Sequence, residues 1–304
     1  MGKIITIANQ KGGVSKTLTA SSMASILTTK GYKILTISLD PQRNFDMVAG
    51  ELDNGCPVLI QANDTDTLSM LHVMNGSCEI GDAIVHTQIG DIARASSLLT
   101  QWSGNIILTK KEYLEIREDL AALQSVLDER IGKDSDMKSI LYKRLQPILD
   151  DYEFILIDTN PSLTLLTTNA LYAADYIIIP AFSEEPSASA IEEMYTIIRG
   201  FNYINKMNGI DRTIKILGIL MTKCNLKSLP YKQCVDVYSK FASAMNTRLF
   251  DTRIRQSIRA TDYVASGMDL IRYAPNCPPA EDYKEFVAEF LRCMEEEGYV
   301  PKHA

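Results

Sequence analysis

A short run near the N-terminus, ANQKGGVSKT, limits what this chain can fold into more than any other feature. Before it stands Lys3 to Ala8 (KIITIA), whose β-branched and apolar residues read as a strand. After it, Ala20, Met23, Ala24 and Leu27 recur at i, i+3, i+4 and i+7 between Lys16 and Lys30, the spacing of one helical face, and Gly31 supplies a stop. Lys33 to Leu39 (KILTISL) then reads as a second strand. Strand, glycine loop, helix and strand in this order form a crossover unit, which requires parallel strands and a right-handed connection.

The alternation continues along the chain. Phe154 to Ile157 (FILI) and Tyr176 to Pro180 (YIIIP) are continuously apolar, as strands covered on both faces are, and Ile214 to Met221 (IKILGILM) gives a further strand. Tyr113, Ile116, Leu120, Leu123 and Leu127 fall on one helical face, and Ile191, Met194 and Ile198 on another. The predicted fold class is α/β, a doubly wound, mostly parallel sheet flanked by helices. No repeat or low-complexity linker divides the 304 residues, so 1–304 are expected to form one domain. Residues 45 to 110, with Gly, Asn and Asp clusters and short apolar runs such as Val58 to Ile60, form a variable region with no assigned chemistry. Trp102 within it is expected to pack rather than to stack on a ligand.

A glycine loop between strand and helix suits phosphate, because small residues let backbone N–H groups turn toward phosphate oxygens and the helix adds its positive end. The candidate phosphate-binding residues are Lys11, Gly12, Gly13, Val14, Ser15, Lys16, Thr17 and Leu18. Lys16 suits neutralisation of β- and γ-phosphates, and the Thr17 hydroxyl suits Mg2+. The same residues would also serve as a plain glycine turn with an incidental lysine. Gln10 and Ser15 stand at the glycine positions of the general GxxxxGK(S/T) loop. If the backbone at Ser15 needs a positive φ, serine costs on the order of 1 kcal/mol relative to glycine. That opens a second reading, an ATP-binding protein with weak turnover.

ANQKGGVSKT resembles the deviant Walker A motif, KGGxGK(S/T), of ParA, Soj and MinD proteins, marked by an additional early lysine, here Lys11. Leu39-Asp40-Pro41-Gln42 is similar to the family's DxDPQ segment, with Ser38 in place of the first aspartate. Phe154 to Ser162 (FILIDTNPS) resembles its Walker B segment IIIDTPPS, with Asn160 for a proline. Leu163 to Leu171 and Ile254 to Leu270 resemble the helix after Walker B and the IPRNVRLSEAPSHGKPI segment, so the likeness spans roughly the whole chain. The resemblance implies a P-loop ATPase using ATP and Mg2+, with Lys11, Lys16 and Asp40 catalytic and Thr17, Asp40 and Asp158 around the metal. It implies a homodimer on ATP, with Lys11 reaching the partner's nucleotide. It also implies partition of a plasmid or chromosome, and a ParB-like centromere-binding protein that stimulates hydrolysis.

The net charge of −7 hides an asymmetry: from Arg199 to Arg259 there are 12 Lys and Arg against three Asp, a segment of +9. Such a zone suits a polyanion, and equally a solvated face. By resemblance, Lys227 and Arg259 match arginines of ParA-like proteins, with Arg253 and Arg255 as neighbours. These four are candidate contacts to nonspecific double-stranded DNA, through phosphates rather than base edges. A MinD-like positioning role would need a terminal amphipathic helix with a basic polar face. Here the apolar face Tyr283, Phe286, Val287, Phe290 and Leu291 is backed by Glu281, Asp282, Glu285, Glu289, Glu295, Glu296 and Glu297, so it is expected to pack in the core. The six cysteines show no CxxC spacing and are expected to be reduced thiols. With neither a signal-peptide pattern nor an apolar run of membrane length, a cytoplasmic protein without membrane contact is expected, and the resemblance to ParA proteins implies that it is nucleoid-associated.

Overall fold

The structure, a computed structural model, describes residues 1–53, 56–58, 67–102, 110–123, 125–126, 137–183 and 188–301. Its strands are β1 (Lys3–Ile7), β2 (Ile34–Ser38), β3 (Glu51–Asp53), β4 (Cys56–Val58), β5 (Ile84–Thr87), β6 (Gly90–Ala93), β7 (Phe154–Asp158), β8 (Tyr176–Phe182), β9 (Lys215–Cys224) and β10 (Leu249–Arg255). They form one sheet in the order β10-β9-β8-β1-β7-β2-β6-β5-β3-β4. From β10 to β6 all neighbours are parallel, as the crossover unit requires, and β5, β3 and β4 continue the edge in antiparallel fashion. That antiparallel extension is built from the 45 to 110 region, whose short strands carry too few apolar residues to announce themselves. Leu59 and Ile60 of the predicted run lie outside the described residues.

The described helices are α1 (Lys16–Thr29), α2 (Asn44–Ala49), α3 (Met70–Asn75), α4 (Lys110–Glu118), α5 (Ile140–Leu145), α6 (Leu165–Ala173), α7 (Ala188–Met207), α8 (Leu229–Ala244), α9 (Arg259–Asp262), α10 (Leu270–Tyr273) and α11 (Pro278–Glu296). They cover both faces of the sheet. Phe154 and Leu156 of β7 point into a core shared with α1 and α11, whereas Ile155 and Ile157 point into one shared with α3, α5 and α6. This is the two-residue strand period acting on a continuously apolar sequence.

Two helical expectations change. The 16–30 helix is buried on nearly all sides, including Thr19, Ser21, Ser22 and Ser25, because α11 packs on it opposite the sheet. The face expected from Tyr113 to Leu127 is broken after Glu118: the Asp119 carboxylate accepts from the Ala121 amide at 3.0 Å, a local bond that competes with helix continuation, and Leu127 lies outside the described residues. The tail packs as its acidic surface predicts, with Tyr283, Phe286, Val287 and Phe290 fully buried. Two of its acids also turn inward. Glu289 accepts from the Asp251 and Thr252 amides at 2.6 and 2.9 Å, and Asp282 accepts from the Arg255 amide at 2.7 Å, so both bond the exposed edge of β10. Trp102 is half-buried on the core beside α3, and its indole N–H donates to Asn75 at 2.9 Å.

Candidate nucleotide-binding site

Three adjacent strands bring the sequence motifs to one level. Ile7 of β1 pairs with Asp158 of β7, and Asp158 with Ser38 of β2. The glycine loop leaves just beyond Ile7 and Asp40 stands two residues beyond Ser38, so loop, Asp40 and Asp158 meet at the C-terminal edge of the sheet. Open α/β sheets bind ligands at this edge. Gly13 to Leu18, Asp40, Gln42, Asn44, Pro161, Lys223, Thr261 and Tyr263 line a pocket here of about 440 Å³.

The loop is braced by β8 and β9, which lie on one side of β1. Asn9 donates to the Pro180 carbonyl at 2.7 Å and accepts from the Lys11 amide at 2.9 Å, and the Thr222 hydroxyl donates to the Val14 carbonyl at 3.1 Å. Gly13 has φ +73° and Ser15 φ 69°, both left-handed. The condition attached to Ser15 is therefore met, and the loop holds a serine where L-residues are strained. Gly12 and Gly13 are exposed, with nothing within 4 Å of a Cβ placed at Gly12, which leaves room for a ligand against the backbone. Lys16 is buried with its Nζ 3.3 Å from the Lys11 carbonyl; burial lowers its pKa while Asp158 and Asp40 pull it back up. Lys11 lies over the Phe182 ring, its Nζ 5.7 Å from the centroid.

Asp158 is fully buried and neither of its oxygens meets a partner at hydrogen-bond geometry. Burial pushes its carboxyl up to about 7; the nearby Thr17 hydroxyl and Lys16 oppose that rise, and the charges of Asp40 and Asp46 add to it. An orphaned buried carboxylate beside a threonine hydroxyl and a second carboxylate is a hard-oxygen donor set, which fits Mg2+ completed by phosphate oxygens and water. Asp40 accepts from the Gln42 amide at 3.0 Å, which fixes the turn after β2. Behind it, Asp46 of α2 is buried and pairs through one oxygen with Arg43 Nε at 3.1 Å, while its other oxygen has no partner. Burial raises Asp46 to about 6 against the lowering influence of Ser38 and Arg43.

The residues singled out for DNA are less uniform. Lys227 and Arg259 are exposed. Arg255 is bound to Asp282 by its Nε at 3.0 Å and an η nitrogen at 2.7 Å, and Arg253 folds back onto the Phe250 and Thr252 carbonyls. Elsewhere in the basic segment, Lys215 pairs with Glu297 at 2.6 Å, Arg248 with Glu296 at 2.8 Å, and Arg212 caps α6 through the Tyr172, Ala173 and Ala174 carbonyls. Acids of the terminal helix thus neutralise part of a charge that stands alone only in the linear sequence. Lys227 and Arg255 line a groove of about 580 Å³ that touches the phosphate pocket at Thr261.

Three residues of the site carry no role in the sequence reading. Lys223 enters it only as one cation of the +9 segment, and it lies within β9, one residue before the strand ends at Cys224. Asp46 and Arg43 follow the Asp-Pro-Gln turn and have no local pattern that reveals their burial.

Residues 2–210 match a family described as AAA domain. The chromosome-partitioning ATPase Soj of Treponema pallidum is 25% identical over 292 residues, covering 96% of this chain and 98% of that protein. Among solved structures, the ATP complex of an aspartate-to-alanine variant of Cyanothece McdA superposes with a TM-score of 0.69 at 20% identity, covering 96% of each chain. The septum site-determining protein MinD of Pyrococcus horikoshii, complexed with Mg-ADP, superposes with a TM-score of 0.62 at 18% identity over 95% of this chain and 96% of its own. With residues 2–210 matched, over a sheet whose edge brings the loop, Asp40 and Asp158 together, this chain belongs to the AAA-domain family as a ParA/MinD-type ATPase.

Proposed function

We propose that this protein is an ATP-dependent dimerising switch that partitions a plasmid or chromosome. Lys16 and the amides of the glycine loop hold the phosphates within one protomer. Lys11 reaches the nucleotide of the second copy, and Asp40 orients the attacking water. Thr17, Asp40 and Asp158 would hold Mg2+, which neutralises charge on the β- and γ-phosphates. The dimer binds nonspecific duplex DNA through Lys227 and Arg259, with Arg253 and Arg255 supporting that surface, and a ParB-like protein stimulates hydrolysis and release. The protein would act on the nucleoid in the cytoplasm. The observation that carries this reading is Asp158, fully buried beside Lys16, Thr17 and Asp40 and with its carboxyl pushed up by burial, an arrangement whose cost a bound cation would offset. Membrane positioning is less well supported, since the apolar face of α11 is already in the core and no described helix is long and apolar enough to cross a membrane.

The test is ATP hydrolysis with and without duplex DNA for the native chain and for Asp40→Ala. The native chain is expected to turn over ATP and to shift DNA in an ATP-dependent, salt-sensitive manner. Asp40→Ala is expected to bind ATP and dimerise without turnover. Equal ATPase rates for the two proteins would remove Asp40 from the mechanism. A native chain that stays monomeric with Mg-ATP at millimolar concentration would remove the whole reading.

A further inference from the structure

Lys223 stands at the end of β9 in left-handed backbone, φ 52°. Such a conformation is costly for a side chain longer than glycine and recurs at functional sites. The strand end is held on both sides of it: the Thr222 hydroxyl donates to the Val14 carbonyl at 3.1 Å, and the Ser183 hydroxyl donates to the Lys223 carbonyl at 2.8 Å. This geometry carries the side chain over the glycine loop. Its Nζ lies 3.9 Å from where a Cβ on Gly13 would stand, and it lines the phosphate pocket. The Phe182 ring beneath is shared, with Lys223 Nζ 5.8 Å and Lys11 Nζ 5.7 Å from its centroid. Among the described residues no ion pair joins Lys223 to a carboxylate. An anion seated on the loop would supply an opposite charge within reach of its ammonium group.

We infer that Lys223 is a nucleotide-positioning residue that contacts the phosphate chain from the open side of the glycine loop, within the same protomer as Lys16. This rests on the ATP-binding reading and deepens it. The pocket then grips a triphosphate with Lys16 from below and Lys223 from above, leaving Lys11 to face the second copy. Because the contact is with phosphate charge, it discriminates by phosphate number: ATP gains most, ADP less, and AMP least.

The test is calorimetric titration of ATP, ADP and AMP into the native chain, Lys223→Gln, Lys223→Arg and Lys223→Gly, with thermal unfolding of each. Lys223→Gln is expected to weaken ATP binding about 10- to 100-fold, the range of a charge-assisted hydrogen bond, with a smaller loss for ADP. Lys223→Arg should keep most of the affinity. Lys223→Gly relieves the left-handed backbone yet removes the charge, so its melting temperature should hold or rise while ATP affinity falls; a merely structural residue would move both together. ATP affinity of Lys223→Gln within twofold of native overturns the inference, as does loss of DNA binding with ATP binding intact. If the native chain itself binds no ATP, the functional reading falls and this inference with it.

Discussion

Two sets of buried acids divide the molecule. At the C-terminal edge of β1, β7 and β2, Asp158 has no hydrogen-bond partner and Asp46 leaves one oxygen unpaired. Beyond β8 and β9, where α11 covers the edge strand β10, Glu289 spans two backbone amides and the Thr252 hydroxyl, and Asp282 takes an amide and the Arg255 guanidinium. Both sets are removed from water, and a buried polar group without a partner is expensive. The satisfied set is explained by the fold alone, since it finishes the hydrogen bonds of an edge strand. The unsatisfied set finishes no strand edge and stands at the phosphate pocket. Burial alone therefore separates neither region, and only the count of missing partners does.

If that division is right, the largest effects belong to the ligand side and appear only with ligand present. Lys16→Ala is expected to reduce ATP affinity roughly 100-fold or more, because a charged contact to phosphate is lost in a buried setting. Titration calorimetry at fixed Mg2+ measures it, and affinity within threefold of native would move the phosphates elsewhere. On the structural side the effect should be on folding. Glu289→Ala is expected to destabilise the chain by about 2–4 kcal/mol by stranding two strand amides and a hydroxyl. Urea denaturation without nucleotide reads this, and a loss below about 0.5 kcal/mol would mean that water satisfies the edge as well as Glu289 does.

The unpaired acids make an opposite prediction. A carboxyl whose folded pKa lies above its unfolded value favours the protonated native state, so stability is greatest below the unfolded pKa and falls as pH rises through the folded one. With Asp46 raised to about 6 and Asp158 to about 7, stability without nucleotide or metal should decline between pH of about 4 and about 7, then level off. Asp158→Asn removes the larger of these penalties. It is expected to stabilise the ligand-free chain by about 1–3 kcal/mol at pH 8 and flatten the profile, while abolishing Mg2+-dependent turnover. Thermal melts across pH check the first part, and a destabilised Asp158→Asn would show that Asp158 belongs with the satisfied acids.

This contrast also sorts what the sequence could reveal. Lys16, Asp40 and Asp158 are legible because each sits at a fixed distance from a strand end, and strand ends follow from apolar runs such as FILI. Asp282 and Glu289 are not, because their acceptor role depends on β10 lying against α11, a pairing between segments with no shared local pattern. The +9 segment misleads for the same reason: Arg255 finds Asp282, Arg248 finds Glu296 and Lys215 finds Glu297 only in three dimensions. Lys223 was visible as a lysine but not as part of the pocket, since its left-handed backbone is imposed by the stitched end of β9 and not by any turn residue nearby.

The smallest expected effect tests strain on the ligand side directly. Ser15 caps α1 at φ 69° and its hydroxyl makes no capping bond to the helix, so its side chain contributes no compensating contact there. Left-handed backbone costs an L-residue about 1–2 kcal/mol, and glycine returns part of that gain by loosening the unfolded chain by about 0.4–1 kcal/mol. Ser15→Gly is therefore expected to stabilise the protein by about 0.5–1 kcal/mol and to tighten ATP binding, whereas Ser15→Ala, which keeps the strain, should change stability by less than about 0.5 kcal/mol. The comparison is between the two variants, by urea denaturation without nucleotide. Should glycine and alanine coincide, the left-handed turn is not where this loop stores its strain, and the serine must be tolerated because the strands bracing Asn9 and Val14 hold the loop closed whatever residue stands at position 15.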